Sequence, residues 1–345
     1  MPQWLLDLII VVSKIAVVHG VLLTCVAYTV YAERKVSAFI QNRIGPNRVG
    51  PRGLLQPLVD VIKLLMKEDI VPVAANKFVH ALAPVISIIV ALSTVAIIPF
   101  GDTIHLFGQT IKLQVADINI GILFYLALTS LGVYGVTLSG WASNSKYSLL
   151  GGLRASAQMI SYELSMGLSV LAVVLINGSL KLDVMVQNQF GWKWNLILQP
   201  IGFIIFVTAT LAETNRAPFD LAEAEQELVG GFHTEYSSMK FALFYLAEYA
   251  GVVIGSAMIT TIYLGGWQVP YLQNLHLPEM AQSLIQVGAF CLKTAFFIFF
   301  FIWVRWTLPR FRYDQLMNLG WKVMLPLALG NLVVTGLILL LIKTL

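Results

Sequence analysis

Carboxylates are concentrated in one short segment of this chain, between two long apolar stretches. Residues 213–231 contain a single cation, Arg216, and five acids, which are Glu213, Asp220, Glu223, Glu225 and Glu227. An ionised group next to hydrocarbon is costly, so it usually has a partner or a function. The segment therefore predicts groups that take up and release protons. For Glu223 and Glu227, which share one face of a helix predicted over 218–229, the alternative is a solvated acidic surface.

Two further acids, Glu163 and Glu248, lie inside apolar stretches that predict membrane helices. Each falls about two turns from the same end of its helix, because a helix rises about 1.5 Å per residue. Glu213 ends the helix that returns to that side, so we expect the three acids to converge at one depth. Burial raises the pKa of a carboxyl group, and neighbouring like charges raise it further, toward the range useful for proton exchange near neutral pH. The alternative is that each acid pairs with a buried cation or a main-chain group.

Basic residues are concentrated in the loops. Residues 33–51 combine Arg34, Arg43 and Arg48 with Gly and Pro residues that fix turns. This pattern is typical either of anchoring to lipid headgroups or of a rigid surface on which a soluble partner docks. A second basic segment, 305–315, predicts a pair between Arg310 and Asp314 at helical spacing.

The composition is that of a membrane protein. The 345 residues are 58% hydrophobic and 12% charged, with a mean hydropathy of +0.79, whereas about 25% of residues are charged in soluble domains. We predict an all-α polytopic membrane protein that forms a single domain over 1–345. The apolar start indicates a retained first helix and not a cleaved signal peptide.

Eight stretches of about 20 apolar residues predict eight transmembrane helices. They are 5–30, 79–100, 119–140, 156–177, 196–214, 240–264, 283–306 and 321–342. Sixteen of the 22 basic residues fall in the loops after the odd-numbered helices or within two residues of them. The positive-inside rule places those loops, 31–78, 141–155, 215–239 and 307–320, in the cytoplasm and both termini outside. Apolar residues at helical spacing over 54–68 predict an amphipathic helix on the membrane surface.

Other chemistry has little support. Cys25 and Cys291 are the only cysteines, too few for a four-cysteine iron–sulfur cluster or a structural zinc site within this chain. No histidine pair has metal-ligand spacing on one helix, although a haem between His19 and His80 is conceivable. Lys14 and Lys293 lie inside predicted helices, where each either neutralises a buried acid or reaches toward an interface.

Six segments form an ordered set of motifs across nearly the whole chain. They are ERK at 33–35, QNRIGPNRVG at 41–50, GWASNSKY at 140–147, QMISYE at 158–163, ETNRAPFD at 213–220 and PRFRYDQ at 309–315. In this order they closely resemble the family of H subunits of the bacterial proton-pumping NADH–quinone oxidoreductase, whose mitochondrial counterpart is NADH dehydrogenase subunit 1.

The resemblance implies a membrane subunit at the junction with a soluble redox arm, where quinone is the substrate. Flavin and iron–sulfur clusters would be held by partner subunits. The implied site residues fall into three groups. The proton pathway would comprise Glu163, Glu213, Glu223, Glu225, Glu227, Glu248 and Asp60. The quinone chamber and its entrance would involve Glu33, Arg34, Arg43, Arg216 and Arg305. Docking of the soluble arm would use Arg48, Arg52, Arg310 and Arg312.

Three alternatives stay open at this point. Membrane-bound hydrogenases and related oxidoreductases use a similar subunit with another electron donor. A secondary transporter would carry inverted repeats, which the sequence does not display. A purely structural anchor would suit the basic loops but would leave the row of acids unexplained.

Overall fold

The computed structural model describes residues 3–106, 109–222, 225–272 and 278–344, and most of these are helical. Seven of the described helical segments are long and apolar enough to cross a membrane. They are Trp4–Ile40, Lys77–Ile97, Gly121–Ala142, Lys146–Asn177, Ser238–Tyr263, Glu279–Thr307 and Tyr313–Ile342. An eighth apolar helix, Pro200–Glu213, has 14 residues. The prediction of an all-α, multi-pass membrane protein is confirmed.

The elements are numbered in chain order. The helices that build the bundle are α1 (Gln3–Ile40), α3 (Lys77–Thr94), α4 (Gly121–Ala142), α5 (Lys146–Asn177), α8 (Pro200–Glu213), α10 (Ser238–Tyr263), α11 (Glu279–Thr307) and α13 (Leu325–Thr344). The shorter helices are α2 (Gln56–Met66), α6 (Leu182–Asn188), α7 (Asn195–Leu198), α9 (Glu225–Leu228) and α12 (Tyr313–Asn318). Two strands, β1 (Thr103–Leu106) and β2 (Gln109–Lys112), pair in antiparallel register.

The helix boundaries depart from the sequence prediction in two informative places. The fifth predicted span, 196–214, is divided into α7 and α8 at Gln199, whose φ and ψ are −134° and 59°. Pro200 has no N–H and disfavours a helical conformation in the residue before it. In addition, α5 begins at Lys146, so most of the loop predicted over 141–155 is helical.

The centre of the bundle consists of α5 and α10. Half of the apolar window of α5 and 61% of that of α10 are buried, compared with 11% for the first and last spans. α5 packs on α4, α8 and α13, while α10 packs on α3 and α11. Glycines allow the closest approach, since a Cβ on Gly140 of α4 would lie 2.5 Å from the carbonyl oxygen of Ser148 on α5.

The amphipathic helix predicted over 54–68 is present as α2. Leu58, Ile62 and Leu65 on its apolar face are all more than half exposed. An ion pair between Arg34 and Asp60, with 2.6 Å between Nη1 and Oδ2, connects α2 to α1.

The segment between α8 and α10 packs against α5, and its predicted helix over 218–229 is wrong. The described part of that range forms turns and the four-residue α9. Phe219, Leu221 and Ala222 are buried, so packing against the bundle overrides the helical signals. Further along, the backbone of Gly231 approaches Gly151 of α5 so closely that a Cβ on Gly151 would lie 2.8 Å from it.

Candidate functional site

The three intramembrane acids line two adjoining cavities inside the bundle. Glu213, at the last residue of α8, lines both of them. The larger cavity, of about 130 Å³, also reaches Glu248 on α10, whereas the smaller one, of about 10 Å³, reaches Glu163 on α5. The three acids therefore lie near one another in the bundle, with Glu213 between Glu163 and Glu248.

The volumes show what each cavity can hold. A water molecule needs roughly 10–15 Å³ of such space together with two to four polar partners. The larger cavity has room for several waters, and its polar lining includes Ser87, Thr129, Thr214 and Asn215. The smaller cavity has room for about one. This smaller cavity is the constriction between Glu163 and Glu213.

Glu163 has a polar partner on the neighbouring helix. The hydroxyl of Ser130, on α4, donates a hydrogen bond to its carboxylate. Thr129 lines both cavities, so the α4 face next to the acids is polar. These two hydroxyl residues were not predicted from the sequence, although polar residues inside an apolar stretch are an indication of a functional position.

Beyond Glu248 the row continues into a buried cluster of charges. Arg216 bridges two acids, with 2.6 Å from its Nε to Oε1 of Glu248 and 2.9 Å from its Nη1 to Oε2 of Glu33. Glu33 also forms an ion pair with Arg305, with 2.8 Å between Oε1 and Nη1. Glu33 and Arg216 are 4% and 5% exposed. Residues from α1, α10, α11 and the segment after α8 thus meet at one point.

Two tyrosines complete this cluster. The hydroxyl of Tyr249 donates to Oε2 of Glu33 at 2.9 Å, and its ring lies 3.5 Å from the guanidinium carbon of Arg216. The hydroxyl of Tyr245 lies 2.9 Å from that of Tyr249. Neither tyrosine was predicted from the sequence. Their positions, three residues before and one residue after Glu248 on the same helix, could have indicated that they lie near this acid.

The electrostatic balance of the cluster keeps the arginine charged. Burial by itself lowers the pKa of Arg216, but the charges of Glu248 and Glu33 outweigh burial and raise that pKa above its usual value. Two arginines face two carboxylates, so the cluster has no excess charge of either sign when all four groups are ionised. Such a balance is what allows several charges to be buried together.

Side chains from other elements hold the turn that follows Glu213. The amide nitrogen of Gln158 donates to the carbonyl oxygens of Ala212 and Phe219 at 2.8 and 2.7 Å. Arg310 pairs with Asp220, at 2.6 Å between Nη2 and Oδ2. The predicted partner of Arg310 was Asp314, which is wrong, because the segment after α11 folds back onto this turn instead of pairing along α12.

Of the remaining glutamates in the predicted acidic cluster, Glu227 lies at the edge of the site. Glu227 is 57% exposed in its side chain and pairs with Arg154 of α5, at 2.7 Å. Glu223 and the side chain of Glu225 lie outside the described residues. Neither Glu227 nor Asp60 lines the two cavities, and Asp60 pairs with the exposed Arg34.

Of the four arginines predicted to dock a soluble partner, three are exposed, whereas Arg310 is only partly exposed and pairs with Asp220. Arg48, Arg52 and Arg312 are exposed. Arg43 is exposed as well and bonds Gln41 of the same turn, with 2.6 Å between Nε and Oε1.

Comparison with known proteins gives a consistent answer. Residues 13–336 match the model of the family described as NADH dehydrogenase. The chain is 51% identical to an H subunit of the NADH-quinone oxidoreductase of Cytophaga hutchinsonii, with 97% of each chain covered. It is 54% identical to an H subunit of the same enzyme of Geobacter metallireducens, over 97% of this chain and 98% of the relative. It is 53% identical to NADH-quinone oxidoreductase subunit 8 of Rhodothermus marinus, over 93% and 94%.

Proposed function

Because this chain belongs to the NADH dehydrogenase family, as a membrane subunit of NADH-quinone oxidoreductase, we propose that it links quinone reduction to proton translocation. It forms part of the quinone-binding chamber where the membrane domain meets the soluble redox arm. Electrons come from NADH through flavin and iron–sulfur clusters held by partner subunits. The chain supplies the acids that respond when the quinone is reduced.

One observation carries this proposal: acids from three helices line two adjoining cavities inside the bundle. Glu163, Glu213 and Glu248 share two cavities, and Arg216 joins Glu248 to Glu33. An anchor that only held a soluble enzyme would have no need for buried acids next to space for water, since each such group is costly in a membrane.

The physics of the coupling follows from the charge of the reaction. Reduction of a quinone to a quinol consumes two electrons and two protons, so each electron that arrives adds negative charge until a proton follows. Acids in a poorly polarisable interior respond to that field by changing their protonation. In this proposal Glu33, Arg216 and Arg305 border the quinone chamber, so the added negative charge acts on them first. Their ion pairs then transmit the effect to Glu248. Protons then pass along the row through water in the larger cavity.

The other residues predicted from the sequence have the following roles in this proposal. Arg34, Arg43 and Asp60 flank the quinone entrance, and Arg48, Arg52, Arg310 and Arg312 contribute to the face that meets the soluble arm. Glu223, Glu225 and Glu227 belong to the proton pathway in this proposal. The complex lies in the bacterial plasma membrane, contacts its lipid, and exposes both termini of this chain on the periplasmic side.

The test replaces acids of the row by their neutral isosteres in the complete complex. We expect Glu213→Gln and Glu163→Gln to leave assembly intact and to lower NADH:quinone turnover by about 10²-fold or more, because a proton-transferring group contributes on that order. Glu248→Gln should act in the same direction. Turnover and protons translocated per NADH are measured in membrane vesicles.

The control is Glu68→Gln, which removes an exposed carboxylate outside the row. It should have wild-type turnover. If Glu213→Gln and Glu163→Gln assemble and turn over like the wild type, the row does not conduct protons and the proposal is wrong.

A further inference from the structure

The last membrane span contains a π-helical turn, Leu319–Met324, between α12 and α13. At its end the N–H of Leu325 donates to the carbonyl oxygen of Gly320, five residues earlier, instead of four. A π-helical turn contains an extra residue and is rare, and such turns are found frequently at functional sites. The proposed function gives this turn no role, so what it touches is informative.

The turn lies directly against α5, just before Glu163. Gly320 is buried, and a Cβ at this position would lie 2.3 Å from Oγ of Ser161. The next nearest atoms would be 3.5 Å away or more, which is an ordinary contact. An alanine at this position would therefore require Oγ of Ser161 to move before the π turn could sit on α5 at this point.

Tyr162 connects the same span to the constriction. Its hydroxyl donates to the carbonyl oxygen of Leu316 in α12, at 3.0 Å. Its ring, 1% exposed, lines the constriction together with Glu163 and Glu213. The constriction has space for about one water, so a small displacement of this ring decides whether a water bridges the two acids.

We propose that the π-helical turn controls proton transfer between Glu163 and Glu213 by holding Tyr162 in place. Gly320, Ser161 and Tyr162 are then positioning residues for that step. The inference rests on the proposed function of the acid row and adds the element that regulates it.

The geometry explains how the turn would act. Conversion of a π turn into a regular α-helix moves the residues before it by one helical position, about 100° and 1.5 Å, relative to those after it. The carbonyl oxygen of Leu316 would then leave the hydroxyl of Tyr162. The ring, no longer tied to the last span, would be free to shift and to change the width of the constriction.

The experiment introduces Gly320→Ala into the complete complex. The added methyl collides with Oγ of Ser161 and pushes the π turn away from α5. We expect turnover to fall by about tenfold or more, as misplacement by about 1 Å can cost up to 10²-fold. The KM for the quinone should be unchanged, and the slowing by D2O should increase, because the affected step transfers a proton. Ser161→Ala in the same chain removes the colliding atom and should restore both values.

Two further variants keep the outcome decisive. Gly330→Ala, on α13, adds a methyl where nothing lies within 4 Å, and it should resemble the wild type. Tyr162→Phe keeps the ring but loses the bond to Leu316, so it should lower turnover and increase the D2O effect even if Gly320→Ala fails to assemble. The proposal is overturned if Tyr162→Phe keeps wild-type turnover and D2O effect, or if Ser161→Ala does not restore an assembled Gly320→Ala complex.

Glu163→Gln and Glu213→Gln are measured in parallel to separate the two proposals. If these variants lose turnover while Tyr162→Phe and Gly320→Ala do not, the row conducts protons and only the control by the π turn is wrong. If all of them keep wild-type turnover, the function of the row itself fails.

Discussion

At the scale of single residues, Arg216 determines how several buried charges coexist. It is the only cation among the acids of 213–231, and it contacts Glu33, Glu248 and the ring of Tyr249 at once. A planar guanidinium can make these contacts together, whereas a lysine ammonium offers one point of charge. The residue therefore joins α1 to α10 by ion pairs, in addition to the direct packing of the two helices.

We predict that Arg216→Ala destabilises the complex strongly. Removal of one partner from a buried ion pair costs about 3–5 kcal/mol, because the remaining carboxylates are left uncompensated. The expected result is a lower unfolding temperature of the purified complex, measured by differential scanning fluorimetry. Arg216→Lys should fall between this variant and the wild type.

Arg34 provides a matched comparison, since it adjoins Glu33 but pairs with Asp60 at the surface, 44% exposed in its side chain. Arg34→Ala should cost at most about 1 kcal/mol, as exposed ion pairs do. Equal unfolding temperatures for Arg34→Ala and Arg216→Ala would contradict the assignment of Arg216 as the buried bridge.

At the scale of elements, the end of α10 opposite Glu248 is closed by polar side chains. The last carbonyl groups of a helix have no partner within it. Here Gln189 donates to the carbonyl oxygen of Thr261, and Asn195 to that of Ile262. Lys293 of α11 donates to three carbonyl oxygens, of Leu264, Gly266 and Gln268, at 2.8, 3.0 and 2.8 Å. The sequence left two roles open for Lys293, and the structure gives it a third, a cap that joins α11 to the turn after α10.

We predict that Lys293→Met loosens this end of the bundle without affecting the acid row. Hydrogen bonds to a charged group contribute about 1.5–3 kcal/mol, so the unfolding temperature should drop. Turnover per assembled complex should remain at the wild-type value. Lys193→Met, which removes an exposed lysine from the connection before α7, is the control and should change neither quantity. A Lys293→Met complex with wild-type stability would refute the capping role.

At the scale of the whole molecule, the acids and most of the basic loops share one end of the bundle. The distribution of Lys and Arg predicts that this end faces the cytoplasm, because positively charged loops are retained there. The hairpin of β1 and β2 then lies on the periplasmic side. Protons would enter the row close to the face where the soluble arm docks.

We predict opposite labelling of two engineered cysteines in a chain that lacks Cys25 and Cys291. Lys112→Cys, on the hairpin, should react with a membrane-impermeant maleimide in right-side-out vesicles. Lys146→Cys, at the start of α5, should react only in inverted vesicles. The reverse pattern would show that the chain is inserted with the other orientation.

The sequence by itself determined the fold class and most of the spans. In the hydrocarbon core of a membrane, backbone N–H and C=O groups can form hydrogen bonds only with each other. An apolar stretch of sufficient length therefore forms a helix. The same argument singled out Glu163 and Glu248, because ionisable groups are conspicuous in such stretches. Local rules were sufficient wherever lipid was the dominant neighbour, as along most of α1 and α13.

Only the tertiary structure decided which groups meet. Glu33, Arg216 and Arg305 are far apart in the chain, and their ion pairs exist because α1 and α11 pack beside the turn after α8. The sequence pattern over 218–229 favoured a helix, but burial of Phe219 and Leu221 against the bundle outweighed that weak local preference. The π turn at 319–324 was likewise hidden, since an extra residue in a helical turn leaves no mark on hydropathy. Long-range packing energies exceed local propensities, and a one-dimensional pattern does not record them.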